Sequence, residues 1–323
     1  MHPSLRRVVG LASAALFVFG ACSSGATASP SPAPSVAPST APSASPAASP
    51  SPAASPTPVA TIPSDQLVFH GKLIVCSDIP YPPLEYLDDQ GNPIGSDMEI
   101  AGGIAQRLGL TLEVVNTVFD YTIAAVTSGK CDIIVSDQNI TPDRTKQVDM
   151  IPYFQAGQAF AVLKGNPEAI AVQLDVCGKK VGAETATTEI QYLEGTDLYK
   201  ATGGLKKMCT DAGKAAPEAV PFEKDSDAFL ALVAKQVDTY FADLPVVAYY
   251  VQSQPAQFEQ APIPPLSPIK AGISVPQNRT VVRDAVKAAL IAMMNDGSYL
   301  RILKKYSVDG GALQPSDVVV NKP

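Results

Sequence analysis

The chain is expected to fold into open α/β sheets arranged as two lobes with a cleft between them. Three observations carry this expectation. From Leu67 onward short apolar strands alternate with helices, the alternation occurs in two successive units, and two further strand-like stretches are placed to carry the chain from one unit to the other and back. At 323 residues and 46% hydrophobic content, the chain has the length for about two domains and the apolar residues to fill their cores.

In chain order, residues 73–76 read as the first strand, and the Pro82-Pro83 and Gly91-Asn92-Pro93 turns separate it from a helix. Ser96-Asp97-Met98-Glu99 has the spacing of a capping box. Ile100, Ile104 and Leu108 then recur at i, i+4 and i+8, which gives that helix one buried stripe until Gly109 ends it. Gly102 and Gly103 inside it are costly. Strand 112–115, helix 121–128 and strand 131–136 complete the first unit. The second unit runs strand 180–184, helix 188–193, strand 219–222, helix 227–234, strand 239–242 and helix 245–252. Stretches 157–164 and 269–275 are the expected crossings, and an amphipathic helix over 281–295 closes the molecule. The expected first lobe is 67–163 with 270–310, the second 164–269, and 311–323 a tail. Hinge bending is expected near 161–164 and 268–271.

The first 66 residues differ in composition. Arg6 and Arg7 precede an apolar run over 8–21 that is too short to span a bilayer, as in a secretory leader. Phe19-Gly20-Ala21-Cys22 resembles a bacterial lipobox, with Phe19 in place of the usual Leu. The resemblance implies a signal peptide over 1–21 and lipidation of Cys22; an ordinary leader with an incidental cysteine is the alternative. Residues 23–63 are almost wholly Ser, Ala, Thr and Pro, too poor in apolar area to fold and biased to polyproline II. With Cys22 they form a tether assigned to 22–66, which at about 3.1 Å per residue reaches on the order of 100 Å. Export implies an oxidising compartment, so Cys177 and Cys209, in loops flanking the strand at 180, are expected to form a disulfide. Cys76 ends one strand and Cys131 begins another; if the two are parallel neighbours the cysteines are roughly 13 Å apart, so both are expected to stay reduced.

A net charge of -7 argues against nucleic acid as a partner, because an acidic field repels a polyanion. His2 and His70 are the only histidines and no CxxC or HExxH spacing occurs, so neither a metal nor a cofactor is expected.

In open α/β sheets ligands sit beyond the carboxyl ends of the strands. The residues found there are Ser77, Asp78 and Tyr81; Asp137, Asn139, Thr141 and Arg144; Thr187 and Thr188; and Asp243. Arg144 is a planar cation suited to a carboxylate, and Asp243 an acid suited to an ammonium. One from each lobe would let an amino acid bridge and close the cleft. Blander roles stay open: an ion pair for Arg144, helix caps for Asp243, Thr187 and Thr188, a core aromatic for Tyr81, and solvated carboxylates for Asp137 and Glu184.

The run Ser77-Asp78-Ile79-Pro80-Tyr81-Pro82-Pro83-Leu84-Glu85 is followed in order by Gly95-Ser96-Asp97-Met98-Glu99-Ile100-Ala101, Ser128-Gly129-Lys130-Cys131-Asp132, Ile140-Thr141-Pro142-Asp143-Arg144, Ala242-Asp243 and Asp296-Gly297-Ser298-Tyr299-Leu300. Together they resemble the polar amino-acid class (family 3) of solute-binding proteins of ABC importers, over about 67–308. The resemblance implies the class II periplasmic-binding-protein fold, a small-molecule ligand, permease subunits as partners and a monomer at the outer face of a bacterial cytoplasmic membrane. It also implies roles: Arg144 clamps the ligand carboxylate with help from residues 137–139, Thr187 and Thr188 donate N–H groups at a helix start, Asp243 takes the α-ammonium, and Tyr81 walls the ligand. Asn139 stands where Thr or Ser is usual. Ser96 replaces a second apolar wall, Asp137 a Gly or Ser, and Glu184 falls at a variable place.

Asp78, Glu85, Asp137, Glu184 and Asp243 against Arg144 alone suggest a cationic amino acid, with Asp78 meeting its side chain beside Tyr81; a neutral polar amino acid is the alternative. Two other functions compete. A dehydratase of the cyclohexadienyl or arogenate kind shares this scaffold, with Glu85, Asp78 or Glu184 as general acid. A receptor sensor domain would need a spanning helix and a cytoplasmic output.

Overall fold

The structure, a computed structural model, describes residues 58–322. The leader, Cys22 and the tether up to residue 57 lie outside the described residues. Folded chain begins earlier than residue 67: the Val59 N–H donates to the Arg107 carbonyl at 2.9 Å, and Ile62 and Leu67 are buried in the first core. Ile62 and Leu67 interrupt the Ser/Pro composition, and apolar anchors of that kind can offset ordering entropy.

Strand β1 (Lys72–Ser77) leads through a hairpin, β2 (Tyr86–Leu87) and β3 (Pro93–Ile94), into helix α1 (Ser96–Arg107). The expected capping box does not form. Gly95 takes the N-cap place, at φ 124°, and Ser96 is the first helical residue. A Cβ at Gly95 would lie 2.0 Å from the Leu84 carbonyl, so the hairpin backbone leaves room only for glycine. Ile100, Ile104 and Leu108 are buried as the periodicity required. Then follow β4 (Thr111–Asn116), α2 (Thr122–Thr127), β5 (Ile133–Ile134), α3 (Pro142–Thr145) and β6 (Val148–Ala156). β6 was not expected, and its Pro152 argues against a central strand; β6 is an edge strand, where proline is tolerated.

The chain crosses at Gly157, because β7 (Gln158–Leu163) belongs to the second sheet. The second lobe adds β8 (Lys180–Glu184), α4 (Thr188–Glu194), α5 (Gly204–Asp211), β9 (Glu218–Phe222), α6 (Asp225–Val233), β10 (Thr239–Asp243), α7 (Leu244–Ser253) and β11 (Phe258–Gln260). Return to the first lobe is through β12 (Ile269–Pro276), followed by α8 (Thr280–Asn295) and α9 (Ser298–Lys305). The sheet orders are β4-β1-β5-β12-β6 and β11-β7-β10-β8-β9, a two-lobed α/β architecture. Gly103 now has its reason: a Cβ there would lie 2.4 Å from Met293 Cε, where α1 meets α8.

Two expected boundaries shift. Residues 161–164 are not a hinge, since Ala161 is paired on both sides, with Tyr240 of β10 and Gln260 of β11. The crossings instead run side by side at Gly157 and Leu266, where a Cβ on Gly157 would meet the Leu266 carbonyl at 2.4 Å. The tail is also part of the first lobe: Leu313 and Val318 are buried, and the Asn321 backbone N–H and side chain bond Met150 and Asp149 of β6.

Cys177 and Cys209 are disulfide-bonded, and so are Cys76 and Cys131, against expectation, with Cα atoms 5.8 Å apart. The strand imagined over 131–136 is only Ile133–Ile134. Asp132 exchanges bonds with Ile74, taking its N–H on Oδ2 and donating its own to the Ile74 carbonyl, both at 2.8 Å. Cys131 therefore lies in the turn after α2, folded back toward Cys76 rather than strung out along a strand. Non-reducing peptide mapping should find both bridges. Removing Cys177–Cys209, which closes 32 residues, should cost about 3–4 kcal/mol in a chain-entropy account.

Candidate functional site

The carboxyl ends of β1 and β5 in the first lobe and of β8 and β10 in the second converge on one cavity of about 20 Å³, room for about one water. Ten of the eleven expected ligand-binding residues line it: Asp78, Tyr81, Glu85, Asp137, Asn139, Arg144, Glu184, Thr187, Thr188 and Asp243. Ser96 is the exception. As the first residue of α1 it is buried away from the cavity, and its hydroxyl has no partner. Phe119, Ser136 and Glu189 also line the cavity and were missed.

Arg144 is 7% exposed, at the end of the short α3 that Thr141 caps and Pro142 opens. Its guanidinium lies over the Phe119 ring, 5.2 Å from the centroid. It donates to the carbonyls of Asn139 and of Ala186 in the other lobe, both at 2.8 Å. No carboxylate among the described residues forms an ion pair with it. Burial lowers its pKa to about 10.

Around this cation stand six carboxyls, and four of them carry oxygens with no partner: both of Asp137, Glu85 Oε2, Glu189 Oε1 and Asp243 Oδ1. Asp137 sits at φ 39°, and its N–H donates to Asp97 and Tyr153, each at 3.0 Å. Glu85 accepts from the Ser136 hydroxyl at 2.8 Å, and Ser136 in turn accepts the Asp78 N–H at 2.9 Å. Burial raises the carboxyls of Asp137, Glu85, Asp243 and Glu184 well above the usual range, with neighbouring acids adding to each. Burial, then the charge of Asp243, pushes Glu189 up to about 8. Among the described residues no three of these groups gather so as to hold a metal ion. Asp137 and Glu184 are thus not solvated carboxylates; they are 5% and 7% exposed.

The lobes touch directly across the cavity. The Tyr81 hydroxyl donates to Asp243 Oδ2 at 2.9 Å, Thr188 donates to Asn139 Oδ1, Arg144 reaches Ala186, and Lys224 pairs with Asp78. Asp243 is not a side-chain helix cap, although it precedes α7, and the Thr187 hydroxyl donates back to the Glu184 carbonyl at 2.7 Å rather than capping α4. The first turn of α4, beginning at Thr188, leaves N–H donors without helical acceptors beside the cavity. Lys224 corrects the charge count: Arg144 is not the one cation here, and Asp78 is already engaged by Lys224 and by the Phe119 N–H at 2.5 Å. The arrangement sets one buried guanidinium, a donor suited to an anionic group, against an excess of carboxyls, acceptors suited to N–H groups.

The sequence matches the family model for bacterial extracellular solute-binding proteins, family 3, over residues 73–309. It is 25% identical to the ABC transporter arginine-binding protein 1 of Escherichia coli K12 over 69% of this chain and 85% of that protein. Among solved structures, an ancestral arginine-binding protein bound to arginine is 33% identical, with a TM-score of 0.64 over 73% of this chain and 98% of its own. An ancestral arginine-binding protein bound to glutamine is 31% identical, with a TM-score of 0.65 over 74% of this chain and 99% of its own.

Proposed function

Because the chain belongs to family 3 of the bacterial extracellular solute-binding proteins, we propose that it is the receptor of an ABC importer. In this reading lipidated Cys22 holds it outside the cytoplasmic membrane, and it captures an amino acid with a cationic side chain and delivers it to the permease. The observation that carries the reading is the set of unpartnered carboxylate oxygens drawn from both lobes around one guanidinium that has no carboxylate ion pair. Buried acceptors without donors are costly, and a ligand with several N–H groups relieves them.

The α-carboxylate meets Arg144 and the N–H groups of the first turn of α4. The α-ammonium lies between Asp243 of the second lobe and Asp137 of the first. The side chain points toward Glu85, Asp78 and Glu184, beside Tyr81. The cavity is smaller than any amino acid, so the lobes part to admit one and close by bending near Gly157 and Leu266. The relatives named above point to transport rather than turnover, and all three are named arginine-binding proteins, in keeping with the excess of acids, while one of them is bound to glutamine.

A thermal-shift screen of the twenty amino acids and ornithine tests this. A basic amino acid at about 100 times its dissociation constant should add roughly 2.7 kcal/mol, a rise of about 5–10 °C. No response to any amino acid would remove the reading.

A further inference from the structure

We infer that Lys224 is a built-in competitor for the acid that meets the ligand's side chain, and that its hold on Asp78 sets the discrimination between cationic and neutral amino acids. The inference rests on the cavity reading given above.

Lys224 leaves the second lobe between β9 and α6, and its ammonium reaches across the cleft to Asp78 Oδ1, with the Ile79 carbonyl at 3.4 Å. Asp78 lines the cavity and is 4% exposed. Glu184, at the end of β8, lines the same wall, and the charge of Asp78 adds to the burial that raises its carboxyl. Both Asp78 oxygens have donors, Lys224 on one and the Phe119 N–H on the other, whereas Glu85, Asp137, Glu189 and Asp243 each have at least one buried oxygen with none. The chain thus supplies its own cation at one end of the cavity and leaves the other acids open.

A guanidinium or ammonium at the tip of a ligand side chain competes for the same Asp78 oxygen. Two cations crowded on one buried carboxylate repel strongly, because a low dielectric leaves the repulsion unscreened. Binding of a cationic side chain therefore requires Lys224 to withdraw. Its flexible four-carbon stem permits that, and its side chain, 22% exposed, has solvent to withdraw into. A neutral side chain leaves the Lys224–Asp78 pair in place and gains from the lobe contact it makes. Lys224 consequently favours neutral ligands relative to cationic ones, against the general acidity of the cavity.

The test is the ratio of arginine to glutamine affinity, measured by calorimetry on the full chain and on Lys224→Met, which keeps the stem and removes the charge. The ratio should rise about tenfold in Lys224→Met, and the rise should vanish in the Lys224→Met, Asp78→Asn double variant. Taking the ratio cancels any loss of closure common to both ligands. An unchanged or lower ratio would overturn the inference and leave Lys224 an inter-lobe tie. Lys224→Gln provides a second variant should Lys224→Met not fold. A wild-type chain that binds glutamine but none of the basic amino acids would refute the cationic reading, while arginine binding gained in Lys224→Met would still establish the competition.

Discussion

Arg144→Met should weaken binding of every amino acid ligand by two to three orders of magnitude, or about 3–4 kcal/mol, within the range for truncating one partner of a buried, hydrogen-bonded charge pair. The α-carboxylate is common to all amino acids, so the loss should be uniform across ligands, unlike that of any side-chain acid. Within its own lobe the Arg144 guanidinium is already fixed by Phe119 beneath it and by the Asn139 carbonyl, so little ordering is left for binding to supply. Lysine cannot reproduce the planar fork, and Arg144→Lys should recover only part of the affinity. Calorimetry provides the affinity and circular dichroism the check on folding. A folded Arg144→Met chain that binds within tenfold of wild type would remove Arg144 from the ligand.

Affinity for a basic amino acid should climb as pH rises toward about 8. Burial raises the lining carboxyls, Glu189 up to about 8, so the ligand-free cavity holds protons that a bound cation displaces. Each proton released contributes roughly one decade of affinity per pH unit within that window. The stability of the ligand-free protein runs the other way. A carboxyl whose folded pKa is raised contributes stability below its unfolded value, which is lost as pH rises through the folded one. The ligand-free Tm should therefore fall toward pH 8, and the thermal shift caused by arginine should grow. An affinity that is flat or decreasing over that range would count against a cation among these acids.

Much of the cleft was legible because one rule, that ligands sit beyond the carboxyl ends of strands, picks out side chains wherever the strands are read correctly. The residues missed are mostly places where the rule was not carried through. Applied to β4 it reaches Phe119, and applied to β9 it reaches Lys224. Glu189 is harder, since an acid in the first turn of a helix is the usual complement to the helix dipole and gives no sign of facing inward. The Cys76–Cys131 bridge was illegible for a different reason. It depends on where β5 starts, and the polar bonds of Asp132 shorten that strand in a way no periodicity records. Ser96 shows the converse: a sequence motif fitted the capping box, but the Leu84 carbonyl pressing on Gly95 set the helix start one residue earlier.

Capture of a cationic amino acid between the lobes is tested most directly by calorimetry of the full chain with arginine, lysine, ornithine, glutamine and glutamate, repeated in two buffers of different ionisation enthalpy. At least one basic amino acid should bind more tightly than glutamine or glutamate, and its binding should release protons near pH 7. Tight binding of glutamate or glutamine, with no heat from any basic amino acid, would contradict it.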